Sequence, residues 1–330
     1  MRVDSLQAEV QAALGEQYAL ERELPRGGMS RVFLATENAL RRHVVIKVLA
    51  PELAASLSAE RFKREIALAA RLQHPHIVPL LSAGLAGTHL YYTMPFVDGE
   101  SLRQRMGRER PMAFADICTI LEEVAGALSY AHAVGIVHRD IKPENVMFFH
   151  GQAVVLDFGI GKALISASTG ETEAEIVRIT QVGMSLGTPT YVAPEQGSGD
   201  PSLDHRADLY ALGVVAYEMI TGHPPFSGRT PQQVIEAHAK QVPAALSARR
   251  PDVPKHLGAI VMRTLEKRPA DRPATGDEIV KALSVTVAPR HSGGGLVVES
   301  LANAPRWVPW TIAGVSTTVA IVMAVLYVMR

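Results

Sequence analysis

Cysteine, aromatic side chains and net charge are all scarce in this sequence. Cys118 is the single cysteine among 330 residues, which excludes an internal disulfide framework and a zinc site built from cysteines. The residues around it, FADICTILEEV, have the spacing of an amphipathic helix, so we expect a buried structural thiol rather than a nucleophile. Basic and acidic side chains number 33 each, whereas a general nucleic-acid binder usually carries a basic excess. We therefore expect no nucleic acid among the partners.

The composition is typical of a folded protein. Hydrophobic residues make up 47% of the chain, which excludes an intrinsically disordered protein, and the length predicts roughly two domains. Residues 1–17 contain Asp4 and Glu9 and no continuous apolar stretch, so we do not expect them to act as a secretory signal. They form an N-terminal segment ahead of the first predicted domain.

The longest uncharged run lies at residues 307–329, WVPWTIAGVSTTVAIVMAVLYVM. It holds 23 residues, whereas a membrane-spanning helix needs about 20. Trp307, Trp310 and Tyr327 lie near its ends, where amphipathic rings favour the lipid headgroup zone. We expect a single-pass transmembrane helix in the cell membrane, with the main domain in the cytoplasm; the alternative is a buried helix of a soluble core. Residues 284–306, with HSGGG at 291–295, are predicted to be a flexible juxtamembrane linker.

Between these ends the hydrophobic pattern changes once. Residues 18–100 alternate β-branched runs with turn signals, which predicts a small, mainly antiparallel sheet with one inserted helix, including a strand in IVPLLSAGL at 77–85. Residues 101–282 have mainly helical periodicity, as in DLYALGVVAYEMITG at 208–222. The predicted fold class is therefore α+β, in two lobes joined near residues 94–99.

Two short stretches of the first lobe suggest chemistry. LPRGGMSRV at 24–32 is a glycine-containing turn between strands, where backbone N–H groups could approach phosphates; an ordinary hairpin turn is the alternative. Lys47 is a lone cation in the apolar strand VVIKVL, and Glu65 lies at the edge of the apolar stripe of the next helix. A carboxylate there can face inward, although solvated side chains are the commoner outcome for an arbitrary Lys and Glu.

Two stretches of the second lobe place polar residues where burial would be costly, and they indicate chemistry more strongly. HRDIKPEN at 138–145 places six polar or charged residues between apolar ones, which is costly unless those groups are paired or in use. A plain polar turn is the alternative. In VVLDFGIG at 154–161, Asp157 follows an apolar strand and comes shortly before a glycine that permits an unusual backbone turn.

Taken in this order, together with GTPTYVAPEQ at 187–196, the stretches resemble the motif set of eukaryotic-type (Hanks-type) Ser/Thr protein kinases over residues 18–283. HPHIV at 74–78 and TGHPPF at 221–226 are more specifically similar to bacterial membrane-anchored members. The resemblance implies a bilobal protein-kinase fold, with an N-lobe over 18–97 and a C-lobe over 98–283. It also implies a non-specific Ser/Thr protein kinase (EC 2.7.11.1) that phosphorylates protein substrates with ATP and Mg²⁺, or Mn²⁺ in its place.

The resemblance assigns catalytic roles residue by residue. Asp140 would accept the proton of the substrate hydroxyl, and Lys142 would contact the transferred phosphate. Lys47 would hold the α- and β-phosphates and pair with Glu65. The expected metal ligands are Asn145 and Asp157.

The nucleotide base is expected at the lobe junction, with Met94 as the gatekeeper. Pro95 has no N–H, but the first hinge contact in the family is a carbonyl acceptor, so a proline is tolerable there. The residues expected to contact the nucleotide are Gly27, Gly28, Val32, Ile46, Lys47, Met94, Pro95, Val97 and Met147.

Further positions match residues with structural or regulatory roles in the family. Asp208 would support the backbone of the catalytic loop, and Thr188 would line the floor beneath the substrate hydroxyl. Arg139 would meet a phosphorylated residue of the activation segment; a polar loop without a switch is the alternative. The expected structural ion pair joins Glu195 and Arg272, and the candidate autophosphorylation sites are Thr180 and Ser185.

The glycine loop departs from the family pattern. Pro25 and Ser30 stand where the first and third glycines are expected, so the loop should be stiffer at its entry. A nucleotide-binding pseudokinase scaffold is therefore the alternative function. A small-molecule phosphotransferase is a third, although GTPTYVAPEQ resembles a peptide-substrate platform. A homodimer of paired small lobes is an option that the family suggests.

Overall fold

The structure is a computed structural model of the chain. It describes residues 3–24, 30–49, 62, 66–158, 189–228 and 230–284. All of these lie within Met1–Thr286, the first of the two units into which the chain divides.

The first lobe is built on a five-stranded antiparallel sheet, in the order β1-β2-β3-β5-β4. Its strands alternate side chains between two faces, and β-branched or aromatic residues fill the central ones, as such residues favour a pleated surface. The bounds are β1 Tyr18–Leu24, β2 Ser30–Glu37, β3 Arg42–Leu49, β4 Ser82–Ala86 and β5 His89–Pro95. The predicted strand in IVPLLSAGL is thus wrong over 77–81, where Ile77 instead forms an isolated bridge to Val155.

Both faces of this sheet are apolar. Val45 and Met94 lie on the face that packs against Phe62 and the helical residues 66–69. On the opposite face Ile46 packs with α1, Val3–Leu14, whose Val10 and Leu14 are buried. Residues 1–17, to which the sequence assigned no structure, therefore contain a helix, because apolar residues four apart share one side of it.

The second lobe is mainly helical. Its core helices are α3, Phe114–Ala133, and α5, Arg206–Thr221, and nearly every residue of α5 is buried. A hairpin of β6, Val146–Phe149, and β7, Gln152–Val155, lies between them in the chain. The remaining helices are α2 Leu102–Arg108, α4 Pro194–Ser198, α6 Pro231–Lys240, α7 Leu246–Arg249, α8 Lys255–Thr264 and α9 Gly276–Ser284, with 3₁₀ turns at Pro143–Asn145 and Pro269–Asp271.

The helix starts follow local chemistry. Ser101 and Gln104 form a capping box at α2, in which each side chain bonds the backbone of the other, and Thr230 and Gln233 do the same at α6. Cys118 on α3 is half-buried rather than buried, and burial raises the pKa of its thiol, with the negative charge of Glu122 adding to the effect. A thiol with a raised pKa is a poor nucleophile.

The α+β prediction and the division into two lobes are confirmed. Within the described ranges, no helix has both the length and the apolar character needed to cross a membrane. The predicted transmembrane segment 307–329 and residues 285–306 of the predicted linker lie outside those ranges.

Candidate active site

Lys47 and Asp157 meet between the two lobes. Lys47 lies on β3 and Asp157 two residues after β7, and Nζ is 3.2 Å from Oδ2. Their side chains are only 15% and 9% exposed, so the ion pair is shielded from bulk water. A charge in such a place needs a partner, and each of these two residues provides one for the other.

Asp140 carries two donors from its own loop. Lys142 Nζ lies 2.6 Å from Asp140 Oδ2, and Asn145 Nδ2 donates to the same oxygen at 3.0 Å. Asn145 also donates to the backbone carbonyl of Asp140 at 2.8 Å. The loop 140–145 thereby closes on itself and fixes the direction of a carboxylate that is still 37% exposed. Such a carboxylate can meet a substrate hydroxyl from solution.

His138 joins the loop of Asp140 to the segment of Asp157. Its Nδ1 accepts the N–H of Asp140 at 3.2 Å, and its Nε2 lies 2.8 Å from the carbonyl of Leu156. Burial lowers the pKa of His138, so the ring is neutral, with Nε2–H as the donor to Leu156. This neutral ring, edge-on to Phe158, fixes the spacing between the two acidic segments.

Asp208, at the start of α5, holds the backbone of the same loop. Its two oxygens accept the N–H groups of His138 and Arg139, both at 2.7 Å, and Oδ2 also lies 2.8 Å from His132 Nε2. Burial alone would raise the pKa of Asp208, but the hydrogen bond and charge of His132 and the N–H of His138 lower it. The carboxylate therefore stays ionised although it is 1% exposed.

Arg139 and Asp157 both have left-handed backbone, with φ of 63° and 57°. Residues other than glycine rarely adopt this backbone conformation, so surrounding contacts must hold it. For Arg139 these contacts are the N–H bond to Asp208 and a bond from Gln196 Nε2 to its carbonyl at 3.0 Å.

The donor set fits a magnesium ion held with a phosphate ligand. Asn145 precedes β6, Asp157 follows β7, and the Leu156 N–H bonds the Asn145 carbonyl at 2.9 Å, so both residues lie at one end of the hairpin. Mg²⁺ prefers oxygen ligands and is usually bound by one or two protein groups plus substrate phosphates. In the described ranges no cluster of three or more His, Cys, Asp or Glu side chains could hold a metal ion.

The expected nucleotide walls are partly corrected. Val32 on β2 pairs with Lys47, and Val45 pairs with Met94, so these four line one face of the sheet. The expectation for Ile46 is wrong: strand alternation turns it to the other face, under α1, whereas Val45 lies on the face of Met94 and Tyr92. Pro95 and Val97 are half-buried in the segment between the lobes, and Met147 is half-buried on β6.

Several predicted positions lie outside the described residues. They are the loop glycines Gly27 and Gly28, the carboxylate Glu65, the substrate-floor residue Thr188 and the candidate phosphosites Thr180 and Ser185. Of the structural positions, Glu195 and Arg272 form a bidentate pair at 2.6 and 2.7 Å, with side chains 6% and 0% exposed.

Two groups near the site were not predicted from the sequence. Arg103 on α2 bonds Glu144 of the catalytic loop and Glu218 of α5, both at 2.7 Å, and contacts Tyr191. Tyr92 on β5 bonds Asp157. Only the second had a signal in the sequence, because Tyr92 is two residues before Met94 and therefore shares its face of the strand.

The family model described as the protein kinase domain matches the sequence of this chain over residues 18–283. The chain belongs to the protein kinase family. The curated proteins to which it is similar are named as serine/threonine-protein kinases.

Those relatives are bacterial. The serine/threonine-protein kinase PknB of Mycobacterium tuberculosis is 40% identical over 272 residues, which cover 81% of this chain and 42% of PknB. The serine/threonine-protein kinase pkn3 of Myxococcus xanthus is 36% identical over 323 residues, covering 93% of this chain and 57% of pkn3. This protein kinase chain thus spans less than two thirds of the length of either relative.

Solved kinase structures have the same fold. The crystal structure of a variant of the Mycobacterium tuberculosis PknI kinase domain superposes with a TM-score of 0.62 and 32% identity, covering 82% of this chain and 95% of that one. The structure of Rad53 residues 1–466 in complex with AMP-PNP gives a TM-score of 0.66 at 21% identity, covering 81% and 64%. The second likeness bears on the fold alone.

Proposed function

We propose that this protein kinase transfers the γ-phosphoryl group of ATP to serine and threonine hydroxyls of proteins. The observation that carries the proposal is the convergence of Lys47 on Asp157 beside a loop that orients Asp140. Phosphoryl transfer needs little covalent chemistry from the protein, so positioned charges of this kind are the main requirement.

Each side chain has a distinct part in the proposed reaction. Asp140 takes up the hydroxyl proton of the substrate as the oxygen attacks, while Lys142, 2.6 Å away, lies ready to offset negative charge on the transferred group. Lys47 binds the phosphates of ATP. Asn145 and Asp157 would hold Mg²⁺, which when bound neutralises charge on the phosphates. The backbone bonds to Asp208 keep Asp140 in place throughout.

The test measures transfer and binding separately. The full chain is incubated with Mg²⁺, γ-labelled ATP and a library of Ser- and Thr-containing peptides, and nucleotide binding is measured by calorimetry. We expect transfer by the natural protein, at least about 100-fold less by Asp140→Asn, and full transfer by the control Asp252→Asn, whose side chain is 69% exposed. Nucleotide binding without any transfer would replace the proposal by the pseudokinase alternative.

We further propose that residues 307–329 anchor the protein kinase in the cell membrane, with the kinase domain in the cytoplasm. The support is the uncharged length of the segment and its terminal Trp and Tyr residues. Replacing Val319 and Val322 by Arg and Asp places two charges at mid-depth, which should release the protein from membranes on alkaline extraction. Equal retention of this variant and the natural protein would contradict the anchor.

Autophosphorylation at Thr180 and Ser185 is a third part of the proposal, because both hydroxyls lie in the segment between Asp157 and Glu195. A phosphate carries about two negative charges, with which a cationic side chain such as that of Arg139 would pair. Thr180→Ala with Ser185→Ala should lower both self-labelling and peptide turnover. Unchanged values in the double variant would remove the switch.

A further inference from the structure

We propose that Tyr92 is a positioning residue that holds the Asp157 carboxylate in the orientation needed for metal binding. The inference rests on the proposed function, since it concerns how a metal ligand of that site is set. Tyr92 lies on β5 of the first lobe, far from the loop that carries Asp140 in the chain.

The strand register places Tyr92 beside Lys47. The two residues are direct partners in the antiparallel pairing of β3 and β5, so their side chains leave the same face of the sheet. Lys47 Nζ lies 5.6 Å from the centre of the Tyr92 ring, a cation–π contact. The ring therefore limits the directions that the lysine can take.

The hydroxyl of Tyr92 reaches past Lys47 to Asp157. It donates to Oδ1 at 3.3 Å, while Lys47 contacts Oδ2 at 3.2 Å. Each oxygen of the carboxylate thus has a donor from a neighbouring strand of the first lobe. Two donors on two different oxygens restrict the rotation of the carboxylate more than one of them does.

Burial makes this bond matter. Tyr92 is 1% exposed and lines, with Met94, Asp157 and Phe158, a cavity between the lobes. Water competes poorly for the hydroxyl there, so the bond to a charged acceptor persists. Phe158 follows Asp157 directly, and its buried ring lines the same cavity. When Tyr92 holds Asp157 in place, it therefore also keeps the Phe158 ring in this cavity.

The effect should be seen in metal binding rather than in base binding. Residues that orient a metal ligand typically contribute about 10–100-fold to metal affinity. The bond here is longer than the 2.7–2.8 Å typical of O–H···O pairs, and Lys47 would still hold Oδ2, so we expect a smaller loss of about threefold to tenfold.

The test is calorimetry of ADP binding to the full chain, with and without MgCl₂. Tyr92→Phe removes only the hydroxyl. We expect its ADP affinity to fall about threefold to tenfold with Mg²⁺ and to stay unchanged without it. Tyr91→Phe is the matched control, because Tyr91 is buried on the opposite face of the same strand, 8% exposed. Equal metal dependence in Tyr92→Phe and the natural protein, or equal losses in the two variants, would overturn the proposal.

A second measurement tests the hydrogen bond through protein stability, so that it does not depend on nucleotide binding by Tyr92→Phe. Thermal unfolding of Tyr92→Phe, Asp157→Asn and the double variant, all without metal, forms a double-mutant cycle. We expect the double variant to lose less thermal stability than the sum of the losses in the two single variants. Additive losses of stability would contradict the hydrogen bond. If the natural protein binds ADP equally with and without Mg²⁺, the proposed function fails instead, which separates the two conclusions.

Discussion

Asp208 accepts a hydrogen bond from the backbone N–H of Arg139 at 2.7 Å. Asp208 lies on α5, which comes much later in the chain than the loop that carries Arg139. The same carboxylate accepts the N–H of His138 at 2.7 Å. One buried side chain thereby sets the position of the two residues that precede Asp140, which connects the stability of the second lobe to the geometry of the site.

The Asp208→Asn variant should lose both stability and turnover. An amide has one acceptor oxygen and presents N–H groups where acceptors are needed, so at least one loop N–H is left unpaired in a buried place. We expect the free energy of unfolding to fall by about 3 kcal/mol and kcat to fall more than KM for ATP rises. Denaturant unfolding and steady-state kinetics measure these, with the exposed Asp252→Asn as the control. A variant with normal kcat would show that Asp208 does not position the loop.

Removal of the Lys47 charge should abolish transfer without unfolding the protein. Lys47→Met keeps the aliphatic stem but removes the cation proposed to bind the ATP phosphates, together with its ion pair to Asp157. We expect peptide phosphorylation to fall at least about 100-fold. Lys240→Met is the matched control, because Lys240 is 72% exposed and pairs with Glu236 on its own helix. Comparable activity in both variants would argue against Lys47 as a phosphate ligand.

Replacement of either Arg272 or Glu195 alone should lower the free energy of unfolding. Arg272 is 0% exposed and, besides Glu195, donates to the carbonyls of Arg206, Glu266 and Lys267. Lysine cannot reproduce this planar set of donors, so Arg272→Lys should cost about 3–5 kcal/mol in unfolding free energy, close to the cost of Glu195→Gln. The exposed Arg268→Lys is the comparison, measured by chemical denaturation. A loss below about 1 kcal/mol would place the pair among weak surface bridges.

Stability should decline as the pH falls below neutrality. Burial and, to a lesser degree, the nearby charge of Lys267 lower the pKa of His238 to about 4, against about 6.5 in an unfolded chain. Between these values the unfolded chain binds a proton that the folded protein does not. The contribution of His238 is therefore complete above about pH 6.5 and is lost towards pH 4, at up to about 1.4 kcal/mol per pH unit.

Two variants isolate this dependence. The pKa of buried His138 is lowered in the same direction, so His238→Gln should make the fall of the unfolding free energy with pH shallower without removing it. The hydroxyl of Tyr210, 2.8 Å from His238 Nδ1, can donate to the glutamine oxygen instead. His223→Gln, at an exposed position, serves as the control. An unchanged slope in His238→Gln, measured between pH 4.5 and 7.5, contradicts the assignment.

Much of the site could be predicted because its chemistry is local. HRDIKPEN holds Asp140, Lys142 and Asn145 within six residues, and these three meet through hydrogen bonds of their own loop. The α+β division could be predicted for a similar reason, since periodicity is a property of each segment alone. Ile46 shows the limit: the strand was predicted, but the face that each residue occupies was assigned by resemblance and not by alternation from Lys47.

The order of the residues along the chain determined which segments become strands and helices and which short loops carry charge. Only the tertiary structure decided that Tyr92 touches Asp157, that Arg103 joins Glu144 to Glu218, and that α1 covers the outer face of the sheet. Contacts between distant segments depend on strand register and on how helices pack. Many sequences with the same local pattern could pack differently, so these contacts are fixed only by the complementarity of the whole core.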